Sequence, residues 1–196
     1  MRWDDLFDDL EGQLEHELGA EEVDLRAEEE RLRLGRLALR DRLLAMVRPG
    51  HSDELRVALR DGTVVSLSVG SLGRDWMVGE LRGPRRGSCL LPLAAIASVL
   101  PTPDQLARSL AADPASDSGA ALSGRLGLSF VLRDLCRRRA PLEIGTTSNE
   151  RLYGTLDRVG RDHVDLAEHE PGVPRRTASV ARIRIVPLAE LLVVRF

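Results

Sequence analysis

The stretch from Glu54 to Leu81, ELRVALRDGTVVSLSVGSLGRDWMVGEL, returns in altered form from Pro141 to Glu168 as PLEIGTTSNERLYGTLDRVGRDHVDLAE. The two copies align without a gap at an offset of 87 positions. Leu55 and Val57 fall on Leu142 and Ile144, Val65 and Val69 on Leu152 and Leu156, and Gly73-Arg74-Asp75 on Gly160-Arg161-Asp162. The likeness extends upstream, where Gly35-Arg36-Leu37-Ala38-Leu39 matches Gly124-Arg125-Leu126-Gly127-Leu128. Downstream, Pro84-Arg85-Arg86 and Pro92-Leu93-Ala94 return as Pro174-Arg175-Arg176 and Pro187-Leu188-Ala189. A repeated unit must fold the same way twice, so the chain of 196 residues is two copies of a module of roughly 65 to 75 residues. Modules of that size are marginal alone, which predicts that the copies pack on each other or on a further chain.

The pattern inside the repeat is that of short strands. Residues 54–59 and 63–69 alternate apolar and polar, and Asp61-Gly62 between them is a hairpin signal. Further strands are expected at 76–81, 88–91 and 96–100, with Pro92-Leu93-Ala94-Ala95 long enough for one 3₁₀ turn. The second copy gives strands at 141–147, 151–157, 163–168, 177–186 and 191–196 behind a helix at 124–139. Gly154, inside a strand, marks the sharp bend that lets a small sheet curl on itself. Ahead of the first copy, residues 20–47 have a helical composition that Gly35 is placed to break. Residues 101–123 are rich in Pro, Ser, Asp and Ala and read as a linker, with Thr102 and Pro103 set to open a short helix.

Charge divides the chain. Residues 1–30 hold 13 acids against 2 arginines, a charge of −11, and the remaining 26 arginines and 18 acids leave +8 on residues 31–196. Within the acidic segment, Trp3, Leu6, Phe7, Leu10 and Leu14 recur at helical spacing and form a candidate partner-binding stripe. No run is long and apolar enough to span a membrane and no signal-peptide pattern opens the chain, which predicts a cytoplasmic protein. Cys89 and Cys136 lie in different copies without metal or redox spacing, and each is expected as a buried thiol. Of His163, Asp165, Glu168 and His169, only the first two share a strand face, and two ligands do not make a metal site. No nucleophile elbow, phosphate loop or catalytic carboxylate pair is present. The expectation is a non-enzymatic protein without cofactor.

A helix followed by five bent strands, the last two separated by one 3₁₀ turn, resembles the Sm-like fold, the small open barrel of Sm, LSm and bacterial Hfq proteins. Residues 150–157, ERLYGTLD, followed by Val164-Asp165-Leu166, are similar to that family's first motif, and residues 95–100, AIASVL, to its last strand. The resemblance implies a mainly β fold: two tandem five-stranded barrels, 31–100 and 124–196, behind the acidic segment 1–30 and separated by the linker 101–123. It also implies RNA binding, with Asp75 and Asp162 placed like the family's acidic turn residue and with Trp76 and His163 beside them available for base stacking. The residues that read uridine are replaced by Pro-Leu-Ala in both copies, so that chemistry does not carry over. Arg74, Arg161 and the loop arginines Arg85, Arg86, Arg175 and Arg176 complete the RNA-binding candidates, because guanidinium groups recognise phosphate. The alternative reading is a protein-interaction adaptor that uses the amino-terminal stripe or the unpaired edges of its sheets. A homo-oligomer or pairing between the two barrels follows from the same edges.

Overall fold

The computed structural model describes residues 22–47, 54–84, 86–111 and 122–196. The stripe from Trp3 to Leu14 lies outside the described residues, as does Arg85. Helix α1, covering 22–35, belongs to a unit that ends at Leu39. Its surface is laced by pairs at helical spacing, with Arg26 on Glu22 at 3.0 Å and Arg33 clasping Glu30 at 2.7 and 2.6 Å. Gly35 ends it, as the sequence suggests, in turns that bond Arg36 to Arg33 and Leu37 to Leu34. Helix α2 then spans Leu39–Met46.

The body, from Arg40 onward, is a compact unit. Its first copy supplies β1 (Glu54–Leu59), β2 (Val64–Leu72), β3 (Trp76–Leu81), β4 (Gly87–Pro92) and β5 (Ile96–Val99), with a 3₁₀ turn at Leu93–Ala95 between the last two. Helix α3 (Pro103–Leu110) follows, and Thr102 and Gln105 close a reciprocal capping box at its start. The second copy supplies α4 (Leu128–Arg137), β6 (Pro141–Thr146), β7 (Arg151–Val159), β8 (His163–Glu168), β9 (Arg182–Pro187), a 3₁₀ turn at Leu188–Glu190 and β10 (Leu191–Arg195). All pairings are antiparallel, and the ten strands lie in the order 5-1-2-3-4-10-6-7-8-9.

That order is one pattern written twice. Val57 pairs with Val99 as Ile144 pairs with Val194, and Trp76 pairs with Pro92 as His163 pairs with Pro187. Even the bulges correspond, between Val69 and Ser71 in β2 and between Leu156 and Arg158 in β7. Of the two outcomes expected for the sheet edges, the structure shows pairing between the copies: β4 and β10 join the two five-stranded units into one open sheet. Each half still gathers its own core. One is centred on Leu43, Leu55, Leu67 and Met77, the other on Leu132, Ile144, Leu156 and Leu166.

Two expected elements begin several residues later than the sequence suggests. The strand expected at 177–186 begins only at Arg182, after a 3₁₀ turn at Thr177–Ser179. There the Ser179 hydroxyl accepts from the Arg176 amide at 2.9 Å and donates to the Pro174 carbonyl at 2.8 Å, so a local side chain holds the backbone that the ladder needs. The helix expected at 124–139 starts at Leu128, because the Leu126 carbonyl is drawn into contacts with the first copy.

Candidate functional site

The seam between the copies is built from strand and turn residues of both. β4 and β10 meet with Leu90 opposite Val194 and Cys89 opposite Arg195, and the Phe196 amide donates to the Ser88 carbonyl at 3.2 Å. Side chains cross in both directions: Leu192 and Val193 belong to the first core, while Trp76 and Leu90 belong to the second. Beside the strands, the turn before β3 grips the start of α4. Asp75 Oδ1 accepts from the Leu128 amide at 2.7 Å, and the Leu126 carbonyl accepts from Trp76 Nε1 at 2.9 Å and from the Arg74 amide at 3.1 Å. A carboxylate at a helix amino terminus meets both an unsatisfied N–H and the positive end of the dipole.

These contacts settle the surroundings of several sequence candidates. Trp76 is 5 % exposed, packed in the second core with its indole N–H bonded, and offers no face for a base. Arg74 lies at the seam with its guanidinium 3.6 Å from Asp75. Arg175 is held by Asp157 through two contacts, 2.9 Å from Nε and 2.6 Å from Nη2. Arg86, Arg161 and Arg176 are exposed. Arg86 lines a groove of about 270 Å³ with Ser88, Tyr153, His169 and Phe196, and neither Arg175 nor Arg176 borders it. In the second copy the turn equivalent to Asp75-Trp76 is open, with the side chains of Asp162 and His163 84 % and 44 % exposed. His163 Nδ1 lies 2.8 Å from Asp162 Oδ1, and this bond holds the Asp162 carboxyl below its ordinary value.

A wider groove of about 640 Å³ runs between the copies, bordered by β1, β2, β6 and β7. Its charges face one another: Glu143 meets Arg195 at 2.6 Å and accepts from the Tyr153 hydroxyl at 2.6 Å, Glu54 meets Arg82 at 3.7 Å, and Glu150 meets Arg184 at 2.6 Å. Arg158 and Arg182 likewise face Asp165 and Glu168. Several of the body's arginines are thus paired with its own carboxylates. Cys89 is buried in the first core, where desolvation pushes its thiol up to about 11, and Cys136 is half-buried at the edge of the second. Among the described residues, no three metal-ligating side chains cluster and no helix is long and apolar enough to cross a membrane.

Neither family models nor curated proteins nor solved structures match this chain.

β9 holds none of the candidate residues expected from the sequence. On the β8 side it is paired from Arg182 to Pro187, while its other side is the edge of the sheet. Two residues apart, and therefore on one face, Ile183 and Ile185 are 52 % and 67 % exposed. The signal was present in the alternation RIRIVP, whose isoleucines lie on the outward face because Val186 is taken by the core.

Proposed function

We propose that this protein is a non-enzymatic tandem Sm-like module, two small barrels fused edge to edge, whose work is assembly with other macromolecules through the β9 edge of its sheet. The observation that carries this reading is β9, an unpaired edge strand that presents Ile183 and Ile185 to solvent. Such edges are ordinarily blunted, because their free N–H and C=O groups template another strand. Main-chain bonds then supply affinity and the two isoleucine side chains selectivity. The repeated strand order, matched bulges and matched 3₁₀ turns support the Sm-like reading. The test is a photo-crosslinking residue at position 185 of the full chain in its native cells. Discrete protein adducts that are absent when the same residue stands at exposed Val64 support the reading; identical adduct patterns at the two positions overturn it.

A second reading, RNA binding, is favoured by Arg161 and His163 on the open turn and by Arg86 and Arg176 on exposed loops. Guanidinium contacts to phosphate make affinity fall with salt, by a log–log slope of about −0.7 per contact on a single strand. Anisotropy with labelled single-stranded RNA decides it. The triple change Arg86→Ala, Arg161→Ala and Arg176→Ala should flatten the slope by about two to three contacts, and absence of binding at low salt ends this reading.

A further inference from the structure

The two ends of the ten-stranded sheet are unlike. β5 is four residues long, and Pro101 stands two positions beyond it. Past its end, the Gln105 side chain on α3 donates to the Glu54 carbonyl at 3.1 Å and so takes the β1 acceptor that a longer β5 would use. Short strands, proline and a covering helix are ordinary means of blunting an edge. β9 runs for six residues, paired with β8 along its length on one side and open on the other. It stands where β4 stands in the first copy, yet Leu90 on β4 is 0 % exposed whereas its counterpart Ile185 is 67 % exposed.

The open side of β9 is complementary to itself. The Leu188 amide donates to the Asp162 carbonyl at 2.7 Å, and alternation from there turns the amides of Val186, Arg184 and Arg182 toward β8. The N–H and C=O groups of Ile183 and Ile185 therefore point to the open side. β4 has the same phase, since its Ser88 carbonyl, in the place of Ile183, turns to β10 and accepts the Phe196 amide. When β9 lies antiparallel to a second β9 with Arg184 opposite Arg184, Ile183 falls opposite Ile185 twice. Both are hydrogen-bonded pairs, so four main-chain bonds form, and four isoleucine side chains, 52 % and 67 % exposed in the single chain, meet on one face. A shift of two residues either way sets an isoleucine opposite Ala181, whose amide is bonded to Glu168, or opposite Pro187, which has no N–H. A shift of one residue would set isoleucine against arginine. The like-charge contact at Arg184 is moderated because each guanidinium is already held by Glu150 at 2.6 Å and Glu168 at 2.5 Å.

We propose that two copies of this chain join through β9 alone, antiparallel about a two-fold axis at Arg184, into a closed dimer. This names the partner of the edge proposed above and rests on that reading. The contact joins like to like, in contrast to the internal seam, which joins the unlike strands β4 and β10. An isologous pairing uses the same patch on both copies, so association stops at two chains and leaves the blunted β5 ends outside it.

Light scattering on the full chain across a concentration series tests this, together with disulfide trapping. Wild type should rise to twice the mass of one chain and no further. The double change Ile183→Arg and Ile185→Arg should hold the mass at one chain with unchanged circular dichroism, while Ala97→Arg on β5 should dimerise as wild type does. Arg184→Cys, in a chain that also carries Cys136→Ser, places two thiols across the axis in the closer kind of antiparallel pair, within disulfide reach. With diamide as oxidant it should give a two-chain band, whereas Val64→Cys in the same background should not. A wild type that stays at one chain at every concentration overturns the proposal, as do growth beyond two chains, a double variant that keeps the wild-type mass, an Ala97→Arg that dissociates, or an untrapped Arg184→Cys. If position 185 crosslinks to a different protein while wild type stays at one chain, the edge reading stands and self-pairing fails.

Discussion

The carboxylate of Asp75, on the turn between β2 and β3, accepts the amide of Leu128 at 2.7 Å and so caps a helix that lies 53 positions along the chain. The cap of the second copy's helix is therefore supplied by the first copy, and the two halves are coupled by a polar contact as well as by their strands. Asp75→Ala should lower stability by about 1 kcal/mol, the typical cost of losing a helix cap. The equivalent change Asp162→Ala, on an exposed turn, should fall within about 0.5 kcal/mol. Urea unfolding of both variants checks the contrast, and equal costs would contradict the asymmetry.

Trp76 carries a core and a seam contact together. Trp76→Phe keeps most of the apolar volume and removes the N–H to the Leu126 carbonyl, for an expected loss of about 1 kcal/mol. Trp76→Ala removes the packing as well and should cost about 3–5 kcal/mol. The corresponding change at its repeat partner, His163→Ala, should leave the unfolding midpoint nearly unchanged, because that side chain faces solvent.

Gly79 in β3 and Gly154 in β7 sit where two strands approach too closely for any side chain. A Cβ there would lie 2.3 Å from the Ser68 carbonyl oxygen or 2.2 Å from that of Ala167, and both obstacles are backbone. Gly79→Ala and Gly154→Ala should each destabilise by about 2–3 kcal/mol through forced backbone shifts. Gly70→Ala, whose Cβ would meet its nearest atom at 3.7 Å, should be close to neutral in the same thermal melts.

Cys89 gives the protein an alkaline limit. Burial raises its thiol from an ordinary 9.0 to about 11, so the folded chain keeps a proton that the unfolded chain releases. That difference favours folding below pH 9.0 and is lost as pH rises from there through about 11, for a total of about 3 kcal/mol. Urea midpoints measured across this window should fall more steeply for wild type than for Cys89→Ala, and parallel curves would remove Cys89 as the cause.

The sequence alone carried the repeat, the bounds of β1, β3 and β8 to the residue, the break at Gly35 and the cap at Thr102. All of these rest on local physics: period-two alternation, turn chemistry and the satisfaction of helix-end donors. Alternation assigns a face to each side chain, but it is silent about which strand lies beyond an edge, because that choice is made by residues far apart in the chain. For this reason the β4–β10 seam and the contrasting fates of Leu90 and Ile185 emerged only in three dimensions. The same holds for Trp76 and His163, which occupy matching positions in a matched turn and differ because one turn is covered by α4 and the other is open. Arg175 looked like a phosphate ligand by composition, and tertiary structure set it against Asp157 instead, since a half-buried guanidinium is stabilised by the carboxylate that the neighbouring strand brings within 2.6 Å.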